Sequence, residues 1–263
     1  MSGDLSTAIR KALLTGDKRA KVMRTRALVR GWRTGKLASR FSVTVPDRPN
    51  WPAGLEVLPP AQMPRRGKGG SAKTRIALWH SLAHIEFVAI DLALDIVGRF
   101  GEEMGEAFIA DFLAVAADEA MHFALIERHL STMDAQYGDL PVHDGLWQSA
   151  SDTAHDVGAR LAVVPLVLEA RGLDVTPATL ARVERQGDSR GAAILRRILD
   201  DEIRHVLAGS RHFAAYCAGT GKTPEIQWKL LVKRYFRGSL KPPFNDSARL
   251  AAGLSREFYA GIV

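Results

Sequence analysis

Six side chains in the middle of the chain have the types and spacing to hold metal ions. Glu86 lies in HIEFVAIDLAL, and Glu119 and His122 lie in ADEAMHFAL. Glu169 lies in VVPLVLEARGL, and Glu202 and His205 lie in DDEIRHVLAG. Each half carries one lone glutamate and, 33 positions later, the glutamate of a Glu-x-x-His. Residues three apart on a helix face the same way, so the two residues of a Glu-x-x-His can reach one ion together. Two carboxylates can bridge a pair of metals while each histidine binds one of them. Carboxylate and imidazole ligands leave open positions and suit iron or manganese. Two iron ions are the expected load, and manganese or a mixed manganese–iron pair fits the same ligands. A single Glu-x-x-His is common on exposed helices, and Glu86 alone could end a salt bridge. A carboxylate on an apolar helical face, as at Glu86 and Glu169, nevertheless demands a partner, because unpaired burial is expensive.

Residues beside these six have supporting roles to play. Asp118 and Asp201 immediately precede the two Glu-x-x-His glutamates. Metal-bound imidazoles usually donate their other N–H to a carboxylate or carbonyl. The expectation is that Asp201 supports His122 and Asp118 supports His205, the alternative being that both aspartates are solvated. His80 and His84 share a face that points about 120–160° away from Glu86. They are therefore expected to hydrogen-bond the flanks, relay protons or stand behind the ligands, not to bind metal. Pro165, four residues before Glu169, should disturb its helix and either steer that ligand or act as a tolerated kink.

Helices must position these residues, because apolar residues repeat at helical spacing and few segments alternate as strands do. The N-terminal arm reads as helices near 4–14 and 17–34, the second capped by Asp17. Prolines rule out continuous helix over 46–70, which reads as a wrap anchored by Trp51, Leu55, Val57 and Leu58. Four core helices follow. The first covers 72–99, capped by Ser71 and ended before Gly101, and the second covers 103–131. The third covers 152–171, with Gly172 at a left-handed C-terminal position. Thr176 and Pro177 signal a short helix near 177–186. The fourth runs from just after Ser189 to about 218. A further helix is expected at 224–236, and the tail from 240 carries PPFN and a short helical stretch. The fold class is all-α, a four-helix bundle with two Glu/Glu-x-x-His hairpins. The expected domains are a basic arm and wrap (1–70), the metal-binding bundle (71–218) and a basic C-terminal extension packing on it (219–263).

The 263 residues are 46% hydrophobic and 25% charged, ordinary for a chain that buries one sizeable core. No run of 18 apolar residues suggests a membrane span, and the N-terminus lacks a signal-peptide pattern, so the cytoplasm is the expected compartment. The sole cysteine, Cys217, excludes an internal disulfide and cysteine-ligated zinc or iron–sulfur sites, and reads as a buried thiol. The net charge of +7 is segregated. Residues 76–205 carry a net −12 and the flanks +19. From 9 to 40 there are 11 basic residues against one acid, and Arg65, Arg66, Lys68, Lys73 and Arg75 continue the run. Phosphate backbones attract such surfaces, and Trp32 or Trp51 could stack on a base. The alternatives are a solvated basic helix or pairing with the acidic bundle of the same chain. RRGKGGSAKT lacks the spacing of a P-loop.

The six ligand positions resemble the ferritin-like di-iron superfamily. HSLAHIEFVAIDLAL, ADEAMHF, LEARGLDVTP, ILDDEIRHV and PFNDSARLAAG, spanning about 70–254, resemble more closely an uncharacterised bacterial ferritin-like family labelled a domain of unknown function. The resemblance implies a metal-binding bundle and carries over Glu86, Glu119, His122, Glu169, Glu202 and His205 as ligands. It supplies no reaction. One reading is a di-iron oxygenase or hydroxylase acting on an organic substrate, such as tRNA or another anion. With no iron–sulfur motif, dinucleotide fingerprint or cysteine pair, it would need an external electron donor. The alternative is iron handling or peroxide detoxification without an organic substrate. A binding or structural role on a degenerate bundle fits least, since all six ligands are present. The sequence admits a homodimer.

Overall fold

The structure, a computed structural model, describes residues 3–64 and 70–261. The described residues are predominantly helical, and the only strands among them are a two-residue parallel pair, Gly3–Asp4 with Leu37–Ala38. Two compact units form, Met1–Trp147 and Gln148–Val263.

In the first unit, α1 (Leu5–Leu13) and α2 (Lys18–Arg33) make up the arm. They are followed by α3 (Ala72–Met104) and α4 (Glu106–Ser131). The caps expected for α2 and α3 form: Ala20 N–H donates to Asp17, and Thr74 N–H donates to Ser71 Oγ. α3 does not end before Gly101. Gly101 is a packing position, where a Cβ would come within 2.7 Å of the Phe41 ring. The stop is Gly105, whose φ of 82° suits glycine. This single residue joins α3 to α4, and the two helices pack together.

Every residue of α3 from 86 to 97 is buried, as expected for a helix apolar on all sides. Three carboxylates interrupt that stretch. Asp91 pairs with Lys21 from α2, both side chains fully buried, and Asp95 accepts from Arg99 Nε at 2.8 Å. The third is Glu86. The arm therefore belongs to this core: α1 packs on α3, α2 packs on α4, and Lys21 supplies a counter-charge. The wrap is held partly by backbone. Leu58 N–H donates to Val142 O at 2.8 Å and Val142 N–H to Glu56 O at 2.9 Å. Val57, expected as an apolar anchor, has an exposed side chain and contributes through this backbone bridge. Arg65, Arg66 and Lys68 of the basic run lie outside the described residues.

The helix expected over 152–171 is broken. α5 (Gly145–Asp152) ends before α6 (Val157–Val163), which Asp156 caps through Ala159 N–H at 2.9 Å. A π-helical turn over Val164–Glu169 leads into α7 (Ala170–Arg185). Pro165 has no N–H for the Leu161 carbonyl and its ring crowds the preceding turn, which widens the helix there. The sharper approach to α8 (Ser189–Gly219) is made possible by Gly209, where a Cβ would lie 2.4 Å from Pro165 Cβ.

Gly172 and Pro177 also correct the sequence reading. Gly172 is inside α7 and has no positive φ, and Thr176 and Pro177 do not start a new helix. Pro177 cannot donate to the Leu173 carbonyl one turn back. Asn245 Nδ2 donates to that carbonyl instead, at 3.2 Å. Asn245 N–H binds Asp174 Oδ1 at 3.0 Å, and Arg249 grips the same carboxylate at 2.8 and 2.7 Å. The PFN segment thus repairs the helix that the LDVTP segment would break. α9 (Pro224–Tyr235), α10 (Asp246–Ala251) and α11 (Arg256–Tyr259) complete the unit. Trp228 of α9 donates to Ala162 O at 3.0 Å, and Cys217 is buried as expected. No described helix is long and apolar enough to cross a membrane.

The repair predicts a coupling. Asn245→Ala should cost about 1–3 kcal/mol by leaving a carbonyl unpaired. In a Pro177→Ala background the new N–H can serve Leu173, so the same substitution should cost less. Urea denaturation of the four proteins in a double-mutant cycle measures this, and additive losses would refute the repair.

Candidate metal centre

α3 and α4 bring Glu86, Glu119 and His122 together in the first unit. Their ligand atoms lie within 4.8 Å of one another. His122 Nδ1 is 3.3 Å from Glu86 Oε2 and 3.3 Å from Glu119 Oε2. The sequence places Glu119 and His122 one turn apart on one face, and folding at Gly105 turns that face toward Glu86. All three are buried. Burial, followed by the neighbouring Glu119 charge, pushes the Glu86 carboxyl up to about 8, and His122 opposes this. Two carboxylates in an apolar interior cannot both be charged cheaply, and a cation between them removes that conflict. The donor set therefore fits a divalent metal ion held by carboxylates and an imidazole, with no thiolate involved.

In the second unit α8 presents Glu202 and His205, both buried, with His205 Nδ1 3.8 Å from Glu202 Oε2. In both units the same ring nitrogen is turned toward the carboxylate three residues before it, so the repeat extends from sequence to atoms. Glu169 is the last residue of the π-helical turn and is half-buried. Gly172, nearly one turn further along the same face, lies against Glu202: a Cβ there would sit 3.8 Å from Glu202 Cγ. The helix face that runs from Glu169 into α7 at Gly172 is thereby turned toward Glu202. The π-turn at Pro165 ends on Glu169, and such turns recur at functional sites.

The supporting residues divide. Asp201 is buried and accepts from Arg197 Nε and Arg204 Nη2, both at 2.5 Å. Neither arginine was singled out in the sequence, although their spacing of four and three from Asp201 was visible there. Asp118 is half-buried on α4 beside Glu119.

His80 and His84 hydrogen-bond the flanks and stand apart from the Glu86 cluster. His80 Nε2 accepts from Gly138 N–H at 2.9 Å and Leu140 N–H at 3.3 Å. Its ring proton is therefore on Nδ1. His84 Nε2 is 3.0 Å from the His143 carbonyl, which can only accept, so this nitrogen carries the proton. His84 Nδ1 then accepts from the Tyr137 hydroxyl at 2.9 Å. Burial brings the His84 ring down to about 4, keeping it neutral. Tyr137, missed in the sequence because nothing marks a lone loop tyrosine, is held well above its ordinary range by burial. Its ring packs at 5.2 Å on Phe87 and 5.5 Å on Phe123, the neighbours in sequence of Glu86 and His122.

Similarity to known proteins covers this whole arrangement. A Haemophilus influenzae protein described as uncharacterized is 40% identical over 206 residues, which are 76% of this chain and 71% of that protein. No solved structure matches. Residues 14–260, from before α2 to the end of α11, match the family described as "Protein of unknown function (DUF455)". With both glutamate–histidine sets inside the matched span, the chain belongs to the DUF455 family.

Proposed function

We propose that this protein is a ferritin-like, di-iron oxidoreductase that uses dioxygen to hydroxylate or oxidise an anionic organic substrate, with tRNA the leading class. The observation that carries the reading is the buried Glu86–Glu119–His122 cluster, whose ligand atoms lie within 4.8 Å of one another. We propose the matching Glu169, Glu202 and His205 as metal ligands as well. Support for that step is the repeated spacing and the like orientation of His122 and His205 toward their glutamates. Reduced iron held there would supply dioxygen activation, which side chains alone cannot perform. The carboxylates and imidazoles would hold and orient the ions. The apolar residues around Glu86 would exclude water, and Glu86 would bind metal as the carboxylate, giving up its proton. Electrons come from an outside donor.

The substrate class rests on the arm. Of its eleven cations, Lys18 pairs with Glu127 and Lys21 with Asp91. Arg19, Arg26, Arg30, Arg33, Lys36 and Arg40 have exposed or half-buried side chains and no carboxylate partner among the described residues. Pairing within the chain therefore leaves most of this charge for a polyanion.

Three outcomes follow. Protein purified without oxygen should hold about two metal ions per chain. Glu119→Ala and Glu202→Ala should each remove at least one, while His80→Gln should remove none. Elemental analysis reads this, and a metal-free wild type would end the proposal; rapid peroxide dismutation with manganese would redirect it to detoxification.

The Glu86 carboxyl, ordinarily near 4.5, rises to about 8 in the folded protein. The folded state therefore keeps a proton that the unfolded chain loses in this window, so apo-protein stability falls as pH rises toward 8. Added iron(II) should raise the melting temperature more at pH 8 than at pH 6. An equal rise at both values counts against Glu86 as a ligand.

Filter binding should show salt-sensitive tRNA association. Replacing Arg26, Arg30 and Arg33 by alanine should reduce the log–log salt slope by about 2–3. No binding at low salt would sink the tRNA reading.

A further inference from the structure

A cavity of about 760 Å³ opens in the first unit, on the side of α3 away from Glu86. Its size falls within the range of about 300–1,000 Å³ typical of small-molecule sites. Ile76, Ala77 and Ile85 of α3 form one wall, and Met63, Leu140 and Val142 form another. The second wall is fixed by the Val57–Val142 backbone bridge and by the His80 bonds to Gly138 and Leu140.

Two polar groups break the apolar lining in a directed way. His80 lines the cavity and is 2% exposed. Both backbone donors are received by its Nε2, which leaves Nδ1–H as a donor with no partner among the described residues. A donor of this kind, on a buried residue that lines a cavity, can be met by an acceptor oxygen of a ligand. Lys73 also lines the cavity, is exposed, and pairs with no carboxylate among the described residues. It precedes His80 by seven residues on the same helix face, two turns or about 10 Å along the axis.

From this arrangement we infer that the cavity binds an amphipathic monocarboxylate that carries a second oxygen on its apolar body. The carboxylate pairs with Lys73 at the mouth, the body lies against Ala77 and the facing apolar wall, and the second oxygen accepts from His80 Nδ1–H. With the two residues two turns apart, a chain of about ten carbons can reach both. This site is distinct from the metal ligands, and its assignment does not depend on the proposed reaction.

Calorimetry on the full chain with 10-hydroxydecanoate, decanoate and 1,10-decanediol tests it, with metal content measured on the same samples. The hydroxy acid should bind saturably and at least fivefold more tightly than decanoate. Lys73→Glu should weaken the hydroxy acid about tenfold and leave the diol unchanged. Ala77→Trp, or Ser81→Trp should the first fail to fold, should abolish binding of all three without loss of metal. The assignment is overturned by any of four results: no saturable binding of the hydroxy acid, equal affinity for decanoate, equal weakening of acid and diol by Lys73→Glu, or binding that survives a folded tryptophan variant.

Discussion

Burying carboxylates in an apolar helix is costly, and the first unit is organised around meeting that cost three times. Between 86 and 97 every residue of α3 is buried, yet Glu86, Asp91 and Asp95 all lie there. Asp95 is met within its own helix by Arg99. Asp91 is met from the arm by Lys21, and removing one partner of such a pair leaves a stranded charge. Glu86 is met by His122, with Glu119 beside it as a second acid that makes matters worse. Two of the three are closed structural pairs. The third sets two carboxyl groups against one imidazole, an imbalance that a bound cation would relieve.

Much of this could be read from the chain because it depends on local spacing. The three-residue step within Glu-x-x-His, the caps at Asp17 and Ser71, and the turn of His80 and His84 away from Glu86 all follow from helix geometry. What failed to show was decided by distant partners. Gly172 and Thr176–Pro177 obey every local rule for a helix end, yet α7 continues through them. Asn245, far along the chain, supplies the missing hydrogen bond, and Gly172 packs beside Glu202 inside the helix. Gly101 was misread for the same reason, since the Phe41 ring that packs on it comes from the segment that follows the arm helices. Tyr137 carried no signal, because a loop tyrosine gains meaning only when the rings around it are known.

The two units solve one positioning problem differently. In the first, a continuous α3 and a one-residue turn set Glu86 against Glu119 and His122. In the second, the helix that carries Glu169 is deformed by Pro165, sustained across Pro177 and thinned at Gly172. Sequence symmetry between the halves therefore does not extend to their backbones. Regular helix suffices on one side, whereas the other requires a proline-built distortion with its own supports.

Those supports act late in the life of the chain. Leu173 and Asn245 are 72 residues apart, and Asp174 and Arg249 are 75 apart. At about 5–20 residues per second, roughly 4–14 s of translation separate the carbonyl from its donor. During that interval α7 has an unanswered carbonyl at its proline. The second unit thus reaches its final form only after most of its sequence has left the ribosome, while Lys21 is made well before the Asp91 it must neutralise.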